Sequence, residues 1–167
     1  MQMKTLLFIS SLILLPLTQA TALDLALTPQ MRVEALGKVD PHTHVRTDIR
    51  DYILAEAPHS RLQQRSLFQL AHDYQSAIRQ IENEKIAQSW ALKIIKSEFC
   101  VRYAFGESGY TEAAKLHGQM LNTHIRARIG IRLNTYLMKA LPYTPAAETW
   151  KKECRFLKAG SLNGDHS

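Results

Sequence analysis

The sequence predicts an all-α fold: one domain, a bundle of five to seven helices with a single disulfide. Three observations predict it. Apolar residues recur at three- and four-residue spacing along most of the chain, with no alternation that would mark a strand. Only 7 Gly and 6 Pro punctuate the 167 residues, and they fall between the periodic segments. The composition, 46% apolar and 22% charged, is too apolar for a disordered chain. The length is too short for a (β/α)₈ barrel, which needs about 250 residues.

The first 22 residues read as a signal peptide rather than as part of the fold. Lys4 gives a positive start, residues 6–15 form an apolar run too short to span a bilayer, and Ala20-Thr21-Ala22 is a small-residue cleavage signal. The mature chain is expected to begin at Leu23. No later apolar stretch is long enough for a membrane span, so no stable membrane insertion is expected after cleavage. The chain has no N-x-Ser/Thr site, which favours a bacterial periplasm over a glycosylating secretory route. Cys100 and Cys154, an even pair in an exported chain, are expected to bond. The bridge would close a loop of about 55 residues, stabilising by roughly 4 kcal/mol on the chain-entropy model.

The elements follow in order. Thr28-Pro29 is an N-cap with Pro at the first helical position, and Gly37 is the stop. Asp40-Pro41 repeats the start signal. Val45, Ile49, Tyr52 and Ile53 form a helical stripe that Pro58 ends. Ser60 and Gln63 fit a capping box, followed by Leu67, Ala71, Tyr74, Ile78 and Ile81 at helical spacing. Asn83 caps the next helix, which carries Ile86, Trp90, Ile94 and Phe99 and ends at Gly106. From Thr111 to Pro142 the apolar phase changes. Ala113, Leu116, His117 and Met120 centre on one side; Ile125, Ile129, Leu133, Tyr136 and Leu137 centre on another. Either the helix breaks near Asn122-Thr123 or it is buried on two sides. In both cases Gly118 and Gly130 would permit close helix contacts. Thr144-Pro145 starts a short helix carrying Trp150 and Cys154. Residues 23–160 thus form the helical domain and 161–167 a polar tail. Trp90, Phe99, Tyr136 and Leu137 are expected in the main core, since large aromatic side chains dominate core energetics.

The motifs offer little chemistry. Asp40-Pro41-His42-Thr43-His44 resembles the D-x-H-x-H segment of the amidohydrolase family, whose two histidines bind a catalytic metal. The resemblance covers seven residues, 40–46. In that family the histidines end the first strand of a (β/α)₈ barrel. Here residues 32–39 include Gly37 and Lys38 and do not read as a buried strand, and the chain has no room for seven more βα units. The segment therefore reads as a helix start, with two imidazoles that make an incomplete metal site. His117 and His124, seven apart, could share a helix face. Glu98, Glu107 and Glu112 lie near one helix junction, where two of them could form the carboxylate pair that glycoside chemistry needs. There is no G-x-S-x-G elbow, no Gly-rich phosphate loop and no C-x-x-C-H haem site. No catalytic residue, metal or cofactor is assigned.

Charge is the most informative functional feature. Residues 23–112 carry 11 Lys+Arg against 12 Asp+Glu, and residues 113–167 carry 9 against 3. No acid occurs between Glu112 and Glu148. Arg128, Arg132 and Lys139 share one helix face there, which could attract an acidic protein, an anionic envelope polymer or nucleic acid; a protein partner is the expectation. The competing reading pairs these cations internally, with Asp48, Asp51, Glu82 or Glu84. Nucleic acid is not expected, since no recognition motif accompanies the charge. The expected function is an exported protein-binding module, of which an immunity or inhibitor protein is one form. An envelope-assembly, chaperone or secretion-accessory role is the alternative, and an enzyme is not expected.

Overall fold

Among the described residues seven α-helices make the bundle: α1 (Pro29–Leu36), α2 (Thr47–Glu56), α3 (Arg61–Arg79), α4 (Glu84–Phe105), α5 (Gly109–Met120), α6 (His124–Ala140) and α7 (Arg155–Ala159). They are seen in a computed structural model that describes residues 27–140 and 142–159. The signal peptide expected at residues 1–22 and the tail expected at 161–167 lie outside the described residues. No strand occurs among the described residues; Val39 and Arg46 form one isolated antiparallel bridge.

Local chemistry sets most of the boundaries. The Thr28 hydroxyl accepts the Met31 N–H, Ser60 accepts that of Gln63 and Asn83 that of Ile86, each satisfying an orphan donor of a first turn. Gly37 and Gly106 follow the last residues of α1 and α4. The change of apolar phase after Met120 is a true break: α5 stops, and the Thr123 hydroxyl accepts the Arg126 N–H at the head of α6. Of the two glycines expected at close contacts, Gly118 faces open space. At Gly130 a Cβ would come within 2.5 Å of Leu121 Cδ1. The tightest backbone approach is instead at Gly109, where a Cβ would lie 2.4 Å from the Arg102 Cα.

Two starts differ from expectation. Asp40-Pro41 opens a turn, and α2 begins only at Thr47. Asp40 Oδ1 accepts the N–H groups of His42 and Thr43 at 3.0 and 2.8 Å and the Thr43 hydroxyl at 3.0 Å. An Asp side chain serves a turn in this way as readily as a helix N-cap. The Thr43 N–H above all holds the Asp40 carboxyl down at about 2. Near Thr144-Pro145 the chain forms a 3₁₀ helix, Ala147–Glu153, rather than an α-helix. The Trp150 indole N–H bonds back to Pro145 O at one end and Cys154 is anchored at the other. The 3₁₀ rise of about 2.0 Å per residue covers that distance in fewer residues.

Helices α3 and α4 pair over their lengths, and α4 also meets α5, α6 and the 3₁₀ segment, which makes it the centre of the bundle. Leu67, Leu70, Tyr74 and Ile78 of α3, Ala87, Ala91 and Ile94 of α4, Leu116 and Met120 of α5, and Ile129, Leu133 and Tyr136 of α6 form one core. Trp90 and Leu137 pack half-buried against it. Phe99 is buried but lies outside this core. Its ring meets Trp150 at 5.7 Å and Tyr143 at 6.2 Å, in a satellite cluster beside the disulfide. Cys100 and Cys154 are bonded, with Cα atoms 4.9 Å apart, so the C-terminal segment is strapped to α4. A polar network reinforces the strap. Arg155 Nη2 reaches both oxygens of the fully buried Asp73 at 2.7 and 2.8 Å, and Gln69 Nε2 donates to Ser97 Oγ and Glu153 O.

Candidate functional site

Three of the cations in the acid-poor half are used internally, Arg126, Lys115 and Arg155. Arg126, 8% exposed, donates to the carbonyls of Ala35 and Glu34 at the end of α1 (both 3.0 Å) and to Asn122 Oδ1 at 2.8 Å. It therefore caps a helix C-terminus, where a cation meets orphan carbonyls and the negative end of the dipole. Burial pulls its pKa down, as does the neighbouring Arg46. Arg46, in the other half, is fully buried and does the same for α5 through Met120 O and Gln119 O, both at 3.0 Å. Asp48 balances it at 2.8 Å. Lys115 bridges Glu112 and Glu56, whose carboxylates raise its pKa. Arg155 holds Asp73.

Arg128 and Arg132 differ. Among the described residues neither has a carboxylate partner. Both lie half-exposed on α6, one turn apart, and Arg132 Nε donates to the Tyr136 hydroxyl at 3.2 Å. Lys139 continues the face. It is exposed and reaches Glu84 at 3.8 Å, with both side chains more than half exposed. A pair so open to water contributes roughly 0–1 kcal/mol and leaves the ammonium available. The internal pairing weighed for this face is thus seen for Lys139 alone; Asp48, Asp51 and Glu82 pair instead with Arg46, Arg50 and Arg32.

Beside this face runs an open groove of about 360 Å³ between α4 and α6, lined by Gln88, Leu92, Tyr136, Lys139, Ala140 and Pro142. Leu92 is 37% exposed, and Met138 and Ile131 on α6 are more open still. The α4 wall, Gln88 and Leu92, was not legible as a site. Leu92 stands off the apolar stripe of its helix, which signals an exposed apolar residue, but its nearness to α6 depends on tertiary packing.

The remaining candidates carry no chemistry together. His117 lies on α5 and His124 opens α6, so the helix break removes the shared face. His117 stacks on Tyr74 with ring centres 5.2 Å apart, and burial lowers its pKa. His42 and His44 are exposed on the turn that Asp40 closes. Among the described residues no group of three or more His, Cys, Asp or Glu is placed to hold a metal ion. Of the three carboxylates near the α4–α5 junction, Glu112 is taken by Lys115 and Glu107 is exposed. Glu98 lies beside the buried Tyr74 hydroxyl, which completes no hydrogen bond, and burial raises the Glu98 carboxyl.

No described helix is long and apolar enough to cross a membrane. Comparison with family models, with curated proteins and with solved structures found no match.

Proposed function

We propose that the protein is exported and works by binding an acidic protein partner, without chemistry of its own. The observation that carries this reading is the pair Arg128 and Arg132, two guanidiniums with no carboxylate partner among the described residues, of which Arg132 bonds to Tyr136 in the wall of the groove. Cations with no carboxylate partner among the described residues, next to a groove where Leu92 of α4 is exposed, suit an amphipathic acidic segment. Its apolar side would enter the groove and its carboxylates would meet Arg128, Arg132 and Lys139. Export is supported by the N-terminal sequence signals and by the disulfide, a bond that persists in oxidising compartments. Immunity or inhibitor proteins are one form that such a binder takes.

The test is affinity capture from an extract of the source cell, with the mature wild-type protein and a folded Arg128→Glu/Arg132→Glu variant in parallel. A protein that the wild type retains and the variant loses, with retention falling as salt rises, is the expected result. Equal capture by both, or capture by neither, would overturn the reading.

A further inference from the structure

A second groove, of about 380 Å³, lies on another part of the surface, between α3 and α7. Its walls include Thr43, Arg65, Phe68, His72, Arg155 and Phe156, and no acid lines it. The fold holds its parts firmly. The Arg155 N–H donates to Gln69 Oε1 at 2.8 Å, and its Nη2 is fixed by the buried Asp73. Only this one nitrogen of the guanidinium is bonded to an acceptor among the described residues, and the side chain is 43% exposed. Arg65 is exposed and makes no ion pair among the described residues; its guanidinium carbon stands 5.8 Å from the Phe156 ring centre. Thr43 comes from the turn that Asp40 closes, so the wall it supplies is also fixed.

The charges specify the ligand. Asp73 neutralises Arg155, which leaves the positive charge of Arg65 for a single negative group. Two guanidiniums with open donors match the planar fork of a carboxylate. Phe68 and Phe156 supply apolar surface for a ring. We infer that the groove between α3 and α7 binds a small aromatic carboxylate, its carboxylate between Arg65 and Arg155 and its ring against Phe68 and Phe156. The site is separate from the α6 face and does not rest on the docking reading.

The probe is phenylacetate, titrated into the isotope-labelled full chain and followed by amide chemical shifts, with acetate and 2-phenylethanol as controls. Saturable shifts are expected at His72, Arg155 and Phe156, with affinity about tenfold or more above either control. Arg65→Gln removes an exposed guanidinium that makes no ion pair among the described residues, and should weaken phenylacetate about tenfold. Arg128→Glu/Arg132→Glu should leave it unchanged, which separates this site from the docking face. Acetate binding as tightly as phenylacetate, shifts centred elsewhere, or an Arg65→Gln affinity equal to wild type would overturn the assignment.

Discussion

Arg126 and Arg128 sit two residues apart on one helix and do opposite things. Arg126 turns inward, is almost wholly buried and closes the end of α1. Arg128 is half-exposed and meets no carboxylate among the described residues. Charge density along the sequence treats the two alike. What separates them is helical phase: Arg126 falls on the side of α6 that carries Ile129, Gly130 and Leu133, and Arg128 falls beyond it. An arginine on an apolar face is a structural part, because burying a guanidinium without acceptors is too costly to persist. An arginine off that face is available for work outside the fold.

The largest effect on this contrast is expected on the buried side, where Arg155 meets Asp73. Arg155→Met leaves a fully buried carboxylate that keeps, among the described residues, the Ser97 hydroxyl as donor and His72 Nδ1 at 3.6 Å, and should cost about 3–5 kcal/mol in chemical denaturation. Adding Asp73→Asn should restore much of the loss, since the stranded charge is then gone. If the single variant unfolds at the wild-type midpoint, the strap does not depend on that pair. Next comes Arg46→Met, which leaves the Met120 and Gln119 carbonyls without their donor, at about 3 kcal/mol.

Smaller effects come from single carboxyl groups, and their signs differ. Burial raises the Glu98 carboxyl above its ordinary value of 4.5, so the folded state holds that proton more firmly than the unfolded chain. Its contribution is favourable at low pH and is lost as pH rises through the raised value. Glu98→Gln should therefore melt above wild type at pH 7, with the difference closing below pH 4.5; a lower melting temperature at pH 7 would show that the charge is used. Asp40 runs the other way. Its carboxyl is lowered from 3.8 to about 2, so its stabilisation is complete above 3.8 and is lost as pH falls toward 2. Asp40→Asn should flatten that acid limb of the stability curve.

The contrast also shows what a sequence can disclose. The caps at Thr28, Ser60 and Asn83 and the stop at Gly106 were legible because each is a contact within one helical turn. The break near Asn122 was legible as a change of apolar phase. The Asp40 turn reads as a helix start in the sequence because a helix cap and an Asx turn use the same side-chain bond. Phe99 was placed in the wrong cluster because periodicity reports which face is buried, and says nothing of which partners bury it. The helix-capping roles of Arg46 and Arg126 depend on acceptors more than 70 positions away, beyond any local pattern. The same limit applies to the candidate sites. The α6 cations form a readable face, whereas the groove beside them needs α4 to lie alongside.

The smallest expected effect is also the most direct test of whether the α6 arginines are spare to the fold. Chemical denaturation of Arg128→Glu/Arg132→Glu should give a stability within about 1 kcal/mol of wild type. Arg126→Glu, measured in the same way, should lose about 3 kcal/mol or more, because a carboxylate replaces the buried donor to the α1 carbonyls. A double variant that falls by as much as Arg126→Glu would contradict this division, and would mean that Arg128 and Arg132 belong to the fold.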